Sequence, residues 1–583
     1  MLPMNSLAVL AASSLAVSAY KPCPLLGPVF EAPDSLCEAN IFQSALKNLT
    51  ATLDYAGRSG VTPFGKIPSE ATSFTVGIFD AESTLFSHQY SSPALKNGTA
   101  GVKTVTEDSV FRIGSGSKLI TIYLFLIEVG AQYWSHPITE FLPILAEAAQ
   151  NCSATGNPVD CIDWEHVTLG SLASHVSGIP RDYAALFDLL ARLPAGTSPT
   201  AFGFPQLPAS DYPTCGYNFT NFCGEDAYLR GYASEAPLFA PYTTPVYSNG
   251  AFALLGLALE NITGRSFEDM LQTDLFDKLE MVHSSYSLPN DTSDAVMPLG
   301  SVNSGFIANI GLEGPVGGYY SSQSDLIKMA QSIMDSKLLT PSETRQWMKP
   351  VTHTSNLRMS VGMPWEIWRS TDLASHEVEI YTKSGDVFSY SSMTVIIPDY
   401  NVGFVLLAAG NSTTSTVEKI TDLVVANIIP ALEATAREQT RQSYAGTYRS
   451  ADGSLASNIT LVTRPNEPGL IVDSWYSNGT DFLSIIAAAV YGSDAGVDIR
   501  LYPTNLVQQG SNGTARVQYR AVIETLDTAP DGGLFTPDCQ TWAMTAIFSY
   551  GFVGLEDFLF EVVGGKVVSL SPRALRTTLS KTT

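Results

Sequence analysis

The amino-acid sequence predicts a mixed α/β fold that is followed by an all-β module. Over about the first 440 residues, segments with helical spacing of apolar residues alternate with short strands. After a predicted helix at about 415–438, the pattern changes to short strands separated by Asp-Gly, Asn-Gly and Gly-Gly turns. We therefore expect a domain boundary near residue 440 and a β-rich domain over residues 441–583.

The apolar spacing also predicts individual elements of the first region. Residues 37–55 carry apolar side chains at helical intervals, and residues 73–79 and 84–90 form a predicted strand pair. Residues 377–383, 391–398 and 402–409 predict three consecutive strands. Further helices are predicted after Ser115, after Val167, over residues 251–259 and up to Met334.

Length and composition narrow the class of protein. A chain of 583 residues is too long for one ordinary domain, and 45% apolar residues are enough for a sizeable core. The net charge of −24 argues against nucleic acid as a partner, because phosphate contacts require clusters of Lys and Arg. The excess of acidic residues can also serve only to keep the protein soluble.

Residues 1–19 are predicted to be a signal peptide. The apolar run from Leu7 to Val17 is too short to span a bilayer, and Val17-Ser18-Ala19 offers a cleavage site of small residues. The segment departs from the usual pattern because no Lys or Arg precedes the apolar run. No later stretch has eighteen uninterrupted apolar residues, so we expect a secreted, extracellular protein without a membrane span.

Cysteines and glycosylation acceptors also favour export. Six of the seven cysteines fall into close pairs, which predicts three short disulfide loops with Cys539 left over: Cys23/Cys37, Cys152/Cys161 and Cys215/Cys223. Metal binding is the alternative, but the chain has no Cys-x-x-Cys and its seven His are scattered. N-glycans are expected among ten Asn-x-Ser/Thr acceptors: Asn48, Asn97, Asn151, Asn218, Asn261, Asn290, Asn411, Asn458, Asn478 and Asn512.

A long insertion is predicted over about residues 182–244. The composition there changes to Pro, Gly and aromatic residues, and the segment carries the Cys215/Cys223 pair. Long ordered loops commonly serve as lids or binding loops, but a tolerated surface embellishment explains the composition equally well.

Ser115 opens an apolar run that predicts a buried helix. The free N–H groups and the dipole at such a helix start would stabilise an oxyanion. Lys118 follows one turn later on the same face, where desolvation would let its amine act as a base. A helix cap with a surface lysine is the alternative, and the chain holds a second Ser-x-x-Lys from Ser44 to Lys47.

Two further motifs follow Ser115 in order. Tyr247-Ser-Asn249 begins 132 residues later at the head of an apolar helix, and Lys383-Ser-Gly385 begins another 136 residues on, in a predicted strand. Each motif has a second copy, Tyr476-Ser-Asn478 and Lys96-Asn-Gly98, but these copies stand out of order. The three motifs in this order, rather than any one of them alone, therefore indicate a functional site.

With these motifs, residues 40–430 resemble the serine β-lactamase and penicillin-binding protein superfamily. The chain is most similar to class C β-lactamases and D-aminopeptidase-like hydrolases, which carry Ser-x-x-Lys, Tyr-x-Asn and a Lys-Thr-Gly-type motif. Flanking segments at 168–180, 246–256 and 318–325 are also similar. The resemblance implies an antiparallel sheet flanked by helices plus an all-helical region within residues 20–440. The module that opens at Tyr444 resembles only loosely the β domains appended to some members.

The resemblance implies a role for each motif residue. Ser115 would be the nucleophile, Lys118 and Tyr247 would share the role of base, and Asn249 would bind Lys118 and the substrate. Neither a metal nor another cofactor is implied.

The third motif would bind the substrate. Lys383 would supply positive potential, and Ser384 and Gly385 would lie along the substrate. The backbone N–H groups of Ser115 and Asp386 would form an oxyanion hole. His175 is expected to be structural, since a base is already present.

Asp386 departs from the β-lactamase pattern, which has a small neutral residue there. If its carboxylate faced the cleft, it would repel anionic substrates, so weak turnover of penicillins and cephalosporins is expected. Strand alternation could instead turn the side chain away.

The function predicted from the sequence is a secreted serine hydrolase that cleaves an ester or amide through a Ser115 acyl-enzyme. The expected substrate is a small-molecule ester, an amide or a peptide. One alternative is a transesterase or acyltransferase of the same fold in small-molecule, secondary-metabolite biosynthesis. The other is a non-catalytic binding protein with a vestigial site.

Overall fold

The computed structural model describes residues 20–183, 193, 197–208, 211, 215–216, 221–451, 455–526 and 539–582. The predicted signal peptide and part of the predicted insertion at 182–244 lie outside these residues. The chain forms two compact units. The larger unit comprises Ser35–Ser370 and Glu379–Ala431, and the smaller unit comprises Met1–Asp34, Thr371–Val378 and Leu432–Thr583.

An antiparallel sheet of eight strands, counted within the described residues, organises the larger unit. The strands described in this unit are β1 Val61–Thr62, β2 Gly65–Lys66, β3 Ser73–Asp80, β4 Thr84–Tyr90, β5 Phe111–Arg112, β6 Tyr320–Ser321, β7 Thr352–His353, β8 Met359–Val361, β9 Glu366–Ser370, β10 Val378–Val387, β11 Tyr390–Ile397 and β12 Val402–Ala409. The strand order in the sheet is β4-β3-β12-β11-β10-β9-β8-β7. Strands β10, β11 and β12 therefore pair in chain order, and β12 pairs with β3.

Helices flank this sheet. The helices at Ser117–Val129 and Gly250–Thr263 carry apolar side chains on nearly all sides. They are therefore buried in the core of the unit. Among the described residues up to Tyr444, the α-helices are Asn40–Ser59, Pro93–Asn97, Ser117–Val129, Pro143–Thr155, Leu169–Ala173, Glu225–Ser234, Gly250–Thr263, Phe267–Met270, Gln323–Met334, Pro341–Trp347 and Thr413–Tyr444.

The smaller unit is built on a second antiparallel sheet that closes on itself. The order β14-β13-β23-β22-β21-β18-β17-β15-β16 is completed by a β14–β15 pairing, and the aromatic and aliphatic core lies inside the unit. In the described part of this unit the strands are β13 Gly446–Ser450, β14 Asn458–Val462, β15 Leu470–Ser477, β16 Thr480–Asp481, β17 Val497–Gln509, β18 Thr514–Thr525, β19 Ser549–Tyr550, β20 Val553–Gly554, β21 Asp557–Val563, β22 Lys566–Pro572 and β23 Leu579–Lys581, with short helices at Phe482–Ile485 and Thr541–Met544.

The predicted fold class is confirmed: an antiparallel sheet flanked by helices is followed by a β-rich C-terminal unit. The chain passes between the units at Ala431 and Leu432, inside the Thr413–Tyr444 helix, and residues 20–34 group with the smaller unit. The domain limits drawn from the sequence at 20 and 440 stay predictions. Among the described residues, no helix is long and apolar enough to cross a membrane.

The predicted pairing of Cys23 with Cys37 is wrong. Cys23 is joined to Cys539, 516 residues away, and Cys37 is an exposed free thiol. The other two predicted pairs, Cys152–Cys161 and Cys215–Cys223, are confirmed. The prediction of the Cys23–Cys37 pair relied on closeness in sequence. In the structure, residues 20–34 belong to the smaller unit, where Val29 and Phe30 contact Tyr502 and Val522, whereas Cys37 belongs to the larger unit.

We predict that Cys37 is the cysteine alkylated in the native, unreduced protein. Non-reducing peptide mapping should recover a linked peptide that contains Cys23 and Cys539. The double variant Cys23→Ser/Cys539→Ser should lose about 2–4 kcal/mol of stability in the smaller unit, because the disulfide restricts the unfolded chain. A linked Cys23–Cys37 peptide would contradict the structure.

Candidate active site

Ser115 lies on a tight turn between a short strand and a buried helix. Strand β5 pairs with β6, and the chain then makes a single 3₁₀ turn over Gly114–Gly116 before the Ser117–Val129 helix begins. Gly114 has a φ of +52°, a left-handed conformation that glycine adopts without the steric cost of a side chain. The turn leaves Ser115 half-buried, while the helix behind it is buried from Ser117 to Leu126.

The Ser115 turn packs directly against strand β10. A Cβ atom on Gly114 would lie 2.6 Å from the backbone nitrogen of Asp386, and one on Gly385 would lie 2.0 Å from the carbonyl oxygen of Ile113. The Ser392 hydroxyl on β11 donates a hydrogen bond to that same Ile113 oxygen at 2.6 Å. Glycine is therefore required on both sides of this contact, which brings the backbone of Asp386 close to the Ser115 turn.

Lys118 is completely buried and holds Ser115 and Asn249 together. Its Nζ donates to Ser115 Oγ at 2.9 Å, to Asn249 Oδ1 at 2.9 Å and to the carbonyl oxygen of Val316 at 2.8 Å. Burial lowers the pKa of Lys118, despite the opposing effect of the nearby Tyr247. A larger fraction of the amine is therefore in the neutral form, which is the form that can accept a proton from the Ser115 hydroxyl.

Tyr247 is surrounded by cations. Lys118 Nζ and Lys383 Nζ lie 5.1 and 5.5 Å from the centre of its ring, and the Arg181 guanidinium lies 4.8 Å from it. Burial alone would raise the pKa of Tyr247, but the two ammonium groups outweigh burial, so the pKa is lowered. The His175 ring stacks on the phenol at 4.3 Å.

His175 supports this arrangement as a neutral side chain. Burial lowers its pKa well below the ordinary value, and the three nearby cations act in the same direction. Its Nδ1 accepts a hydrogen bond from the Ser248 backbone at 3.2 Å. This geometry agrees with the structural role expected from the sequence.

Asn249 is oriented by a carboxylate that the sequence analysis missed. Its Nδ2 donates to Asp182 Oδ1 at 2.9 Å, which fixes the amide so that Oδ1 faces Lys118. Burial raises the pKa of Asp182, and burial together with the Asp182 charge raises that of Glu313 to about 8. No motif marks either acid: Asp182 follows the 168–180 segment, and Glu313 is the last residue of a short 3₁₀ helix at Gly311–Glu313.

Lys383 is paired with a second unforeseen carboxylate, Glu366. The Lys383 Nζ donates to Glu366 Oε1 at 2.6 Å and to the Ser384 carbonyl oxygen at 2.7 Å. Burial alone would lower the pKa of Lys383, but the charge of Glu366 raises it above the ordinary value. Glu366 is the first residue of β9, a strand that the sequence analysis did not identify.

Asp386 does not present its carboxylate to Ser115. Its Oδ1 accepts hydrogen bonds from Ser391 at 2.5 Å and from Thr414 at 2.6 Å. Strand alternation puts Asp386 and Ser391 on the sheet face opposite to Gly385 and Ser392, and the latter pair contacts the Ser115 turn. The expected repulsion of anionic substrates by Asp386 therefore has no structural basis, although its backbone nitrogen lies by the turn.

The structure thus brings together the residues of all three motifs: Ser115, Lys118, Tyr247, Asn249, Lys383, Ser384, Gly385 and Asp386. The second Ser-x-x-Lys is different, because the Ser44 hydroxyl is bonded to the Asn40 carbonyl within a surface helix. Tyr476 lies in the smaller unit, on an exposed part of β15. Within the part of the chain that is described, no group of His, Cys, Asp and Glu is arranged to hold a metal ion.

Comparison with known proteins identifies the family. A family model described as "Beta-lactamase" matches residues 72–426. The chain belongs to the β-lactamase family. Residues 436–583 match a second model, described as "Beta-lactamase-like-like, C-terminal domain".

Relatives extend this family assignment to most of the chain. A "Beta-lactamase-like protein" of Arthroderma benhamiae is 30% identical over 95% of both chains. A "Probable hydrolase clz13" of Cochliobolus lunatus is 24% identical over 88% of this chain and 85% of the relative. A solved class C β-lactamase is 16% identical with a TM-score of 0.46, over 67% of this chain and 98% of that one.

We predict that Asp182→Ala slows acylation of Ser115 by about tenfold or more, because an amide that rotates no longer holds Lys118 in place. Asp182→Asn retains an oxygen acceptor and should recover part of the rate. Stopped-flow measurement with an active-site acylating ester would test this. Equal rates for Asp182→Ala and wild type would show that Asp182 does not position Asn249.

Proposed function

We propose that this β-lactamase family member is an exported serine hydrolase that cleaves a small ester or amide through a Ser115 acyl-enzyme. The observation that carries the proposal is the hydrogen bond of 2.9 Å between Ser115 Oγ and the buried Lys118 amine, beside a phenol of lowered pKa. Relatives named as probable hydrolases support the same class of reaction.

In the proposed acylation step, Ser115 Oγ attacks the substrate carbonyl carbon. The hydroxyl proton passes to the Tyr247 phenolate or the Lys118 amine, and the bond to the leaving group then breaks as that group receives the proton. The backbone N–H groups of Ser115 and Asp386 would bind the developing oxyanion. Each donor of this kind is worth about 3–4 kcal/mol of the activation barrier.

In the proposed deacylation step, water attacks the ester that joins the acyl group to Ser115. The same base removes a proton from this water, and Ser115 leaves as the alcohol. An alcohol or amine in place of water would transfer the acyl group instead, so acyl transfer is an outcome that product analysis can reveal.

Export is part of the proposal. Three disulfides occur among the described residues, and disulfides persist mainly in oxidising compartments. The predicted signal peptide at residues 1–19 and the predicted N-glycans are consistent with a secreted, extracellular enzyme.

We predict that a fluorophosphonate labels Ser115 and no other serine. Intact-mass analysis followed by peptide mapping should locate one adduct, and Ser115→Ala should abolish it. Incubation with a panel of acyl esters, with and without alcohol or amine acceptors, would then report the acyl-enzyme and its fate. Labelling that persists in Ser115→Ala, or that maps to Ser44, would refute the assignment.

We predict that Lys383→Ala and Tyr247→Phe each slow acylation by about a hundredfold or more. The lysine variant should also shift the pH profile. Because Lys383 lowers the pKa of Tyr247, its removal raises that pKa, and the rising limb of the rate should move to higher pH. A wild-type profile in Lys383→Ala, or a wild-type rate in Tyr247→Phe, would contradict the proposed base.

A further inference from the structure

The Asp386 carboxylate connects the end of strand β10 to two neighbouring elements. Its Oδ1 accepts hydrogen bonds from the Ser391 hydroxyl on β11 at 2.5 Å and from the Thr414 hydroxyl at 2.6 Å. Thr414 lies in the first turn of the Thr413–Tyr444 helix, and the Ser391 hydroxyl lies 2.8 Å from that of Thr413. The carboxylate therefore links β10 both to β11 and to the start of this helix.

A negative charge is favourable at this end of the helix. The first N–H groups of a helix have no partner within it and carry partial positive charge, so a carboxylate beside the first turn is stabilised there. At this position the β-lactamase pattern has a small neutral residue, and the side chain of Ala or Gly accepts no hydrogen bond. The connection to the helix therefore depends on the residue that departs from the pattern, Asp386.

The backbone N–H of Asp386 is not held by the pairing of β10 with β11. N–H groups point alternately to the two edges of a strand, so those of residues 384 and 386 point to the same edge. The Ser384 N–H donates at 3.0 Å to Glu366, on the β9 side of β10. The Asp386 N–H therefore points away from β11, to the edge where a Cβ atom on Gly114 would lie 2.6 Å from its nitrogen.

The position of this N–H depends on side-chain contacts at the end of the strand. Strand β10 ends at Val387, one residue after Asp386, and few sheet hydrogen bonds lie beyond that point. The turn that follows is held by the Ser389 hydroxyl, which donates to the Ser304 carbonyl at 2.8 Å. Between this contact and Gly385, the Asp386 carboxylate supplies the connection at the donor residue itself.

We propose that Asp386 is a positioning residue: its carboxylate, held by Ser391 and Thr414, fixes the backbone N–H of the same residue as an oxyanion donor toward Ser115. This inference rests on the proposed function, in which that N–H binds the developing oxyanion. The carboxylate acts through the backbone and does not touch the substrate. Its contribution is to the transition state, in place of the repulsion of anionic substrates expected from the sequence.

The kinetic test uses a neutral aryl ester, para-nitrophenyl butyrate. Stopped-flow acylation at several ester concentrations separates the affinity of the initial complex from the acylation rate constant. We expect Asp386→Ala to lower the rate constant at least about tenfold and to change the affinity less than about twofold, because the oxyanion forms only in the transition state. Asp386→Asn keeps an acceptor oxygen and should stay within about threefold of the wild-type rate.

Phenylboronic acid tests the same donors without turnover. It adds to a nucleophilic serine as a tetrahedral anion, which resembles the intermediate of acyl transfer and not the bound ester. Asp386→Ala should therefore weaken inhibition by this acid at least about tenfold, whereas Asp386→Asn should stay within about threefold of wild type. A loss of stability alone would not produce this selective effect.

Thr414→Val removes one hydrogen-bond donor and leaves residue 386 unchanged. We expect it to lower the acylation rate constant about threefold in the wild-type background and to have no further effect in Asp386→Ala, because both changes break the same contact. It also decides the question if Asp386→Ala does not fold. Glu418→Ala is the control, since it removes an exposed carboxylate one turn further along the same helix and should change neither the rate constant nor the inhibition.

An acylation rate and an inhibition within about twofold of wild type in Asp386→Ala would overturn the inference, as would a wild-type rate in Thr414→Val. An equal loss in the affinity of the initial complex, no recovery in Asp386→Asn, or an equal effect of Glu418→Ala would also overturn it. Fluorophosphonate labelling of wild-type Ser115 judges the proposed function separately. Labelling together with an unchanged Asp386→Ala refutes only the role of Asp386, whereas absence of labelling refutes the proposed acyl-enzyme itself.

Discussion

The geometry of the candidate site depends on the close approach of the Ser115 turn to strand β10. Gly114 and Gly385 remove the two side chains that would otherwise separate these segments, and the Ser392 hydroxyl bonds to the turn from the next strand. Any side chain at either glycine would move Ser115 away from the backbone of Asp386. Because catalysis by a serine nucleophile is sensitive to displacements of about 1 Å, this contact sets the precision of the proposed reaction.

The charges around Ser115 are balanced by acids from two separate parts of the chain, Glu366 and Asp182. Lys118 and Lys383 both lie near Tyr247, and two buried cations beside one phenol would be costly without compensating negative charge. Glu366 pairs with Lys383, while Asp182 acts on Lys118 through Asn249. This arrangement leaves the positive charges next to the Tyr247 phenol, where they favour the phenolate, and compensates them with Glu366 and Asp182.

Sequence reasoning identified the parts of the molecule that have a local signature. The strands at Ser73–Asp80 and Thr84–Tyr90 follow from their apolar spacing, and the three motifs follow from their order along the chain. The structure places the residues of the three motifs close together, as their order along the chain indicated, while their chemical roles stay predictions. These features could be predicted because the information lies within a few adjacent residues.

Features that arise only from long-range packing could not be predicted. Glu366 and Asp182 have no motif around them, and they matter because folding places them beside Lys383 and Asn249. The direction of the Asp386 side chain depends on the register of β10 with β11, which a sequence does not specify. The partner of Cys23 was likewise set by the fold, since its nearest cysteine in sequence belongs to the other unit.

The Cys23–Cys539 disulfide shows that the smaller unit is discontinuous in sequence. Residues 20–34, Thr371–Val378 and the chain from Leu432 belong to one structural unit, so the larger unit lies in sequence between its three pieces. A truncation near residue 440 would therefore not separate two independent proteins. It would remove Tyr502 and Val522, which pack against Val29 and Phe30, and it would leave Cys23 without its disulfide partner. The separated tail would lack residues 20–34 of its own unit.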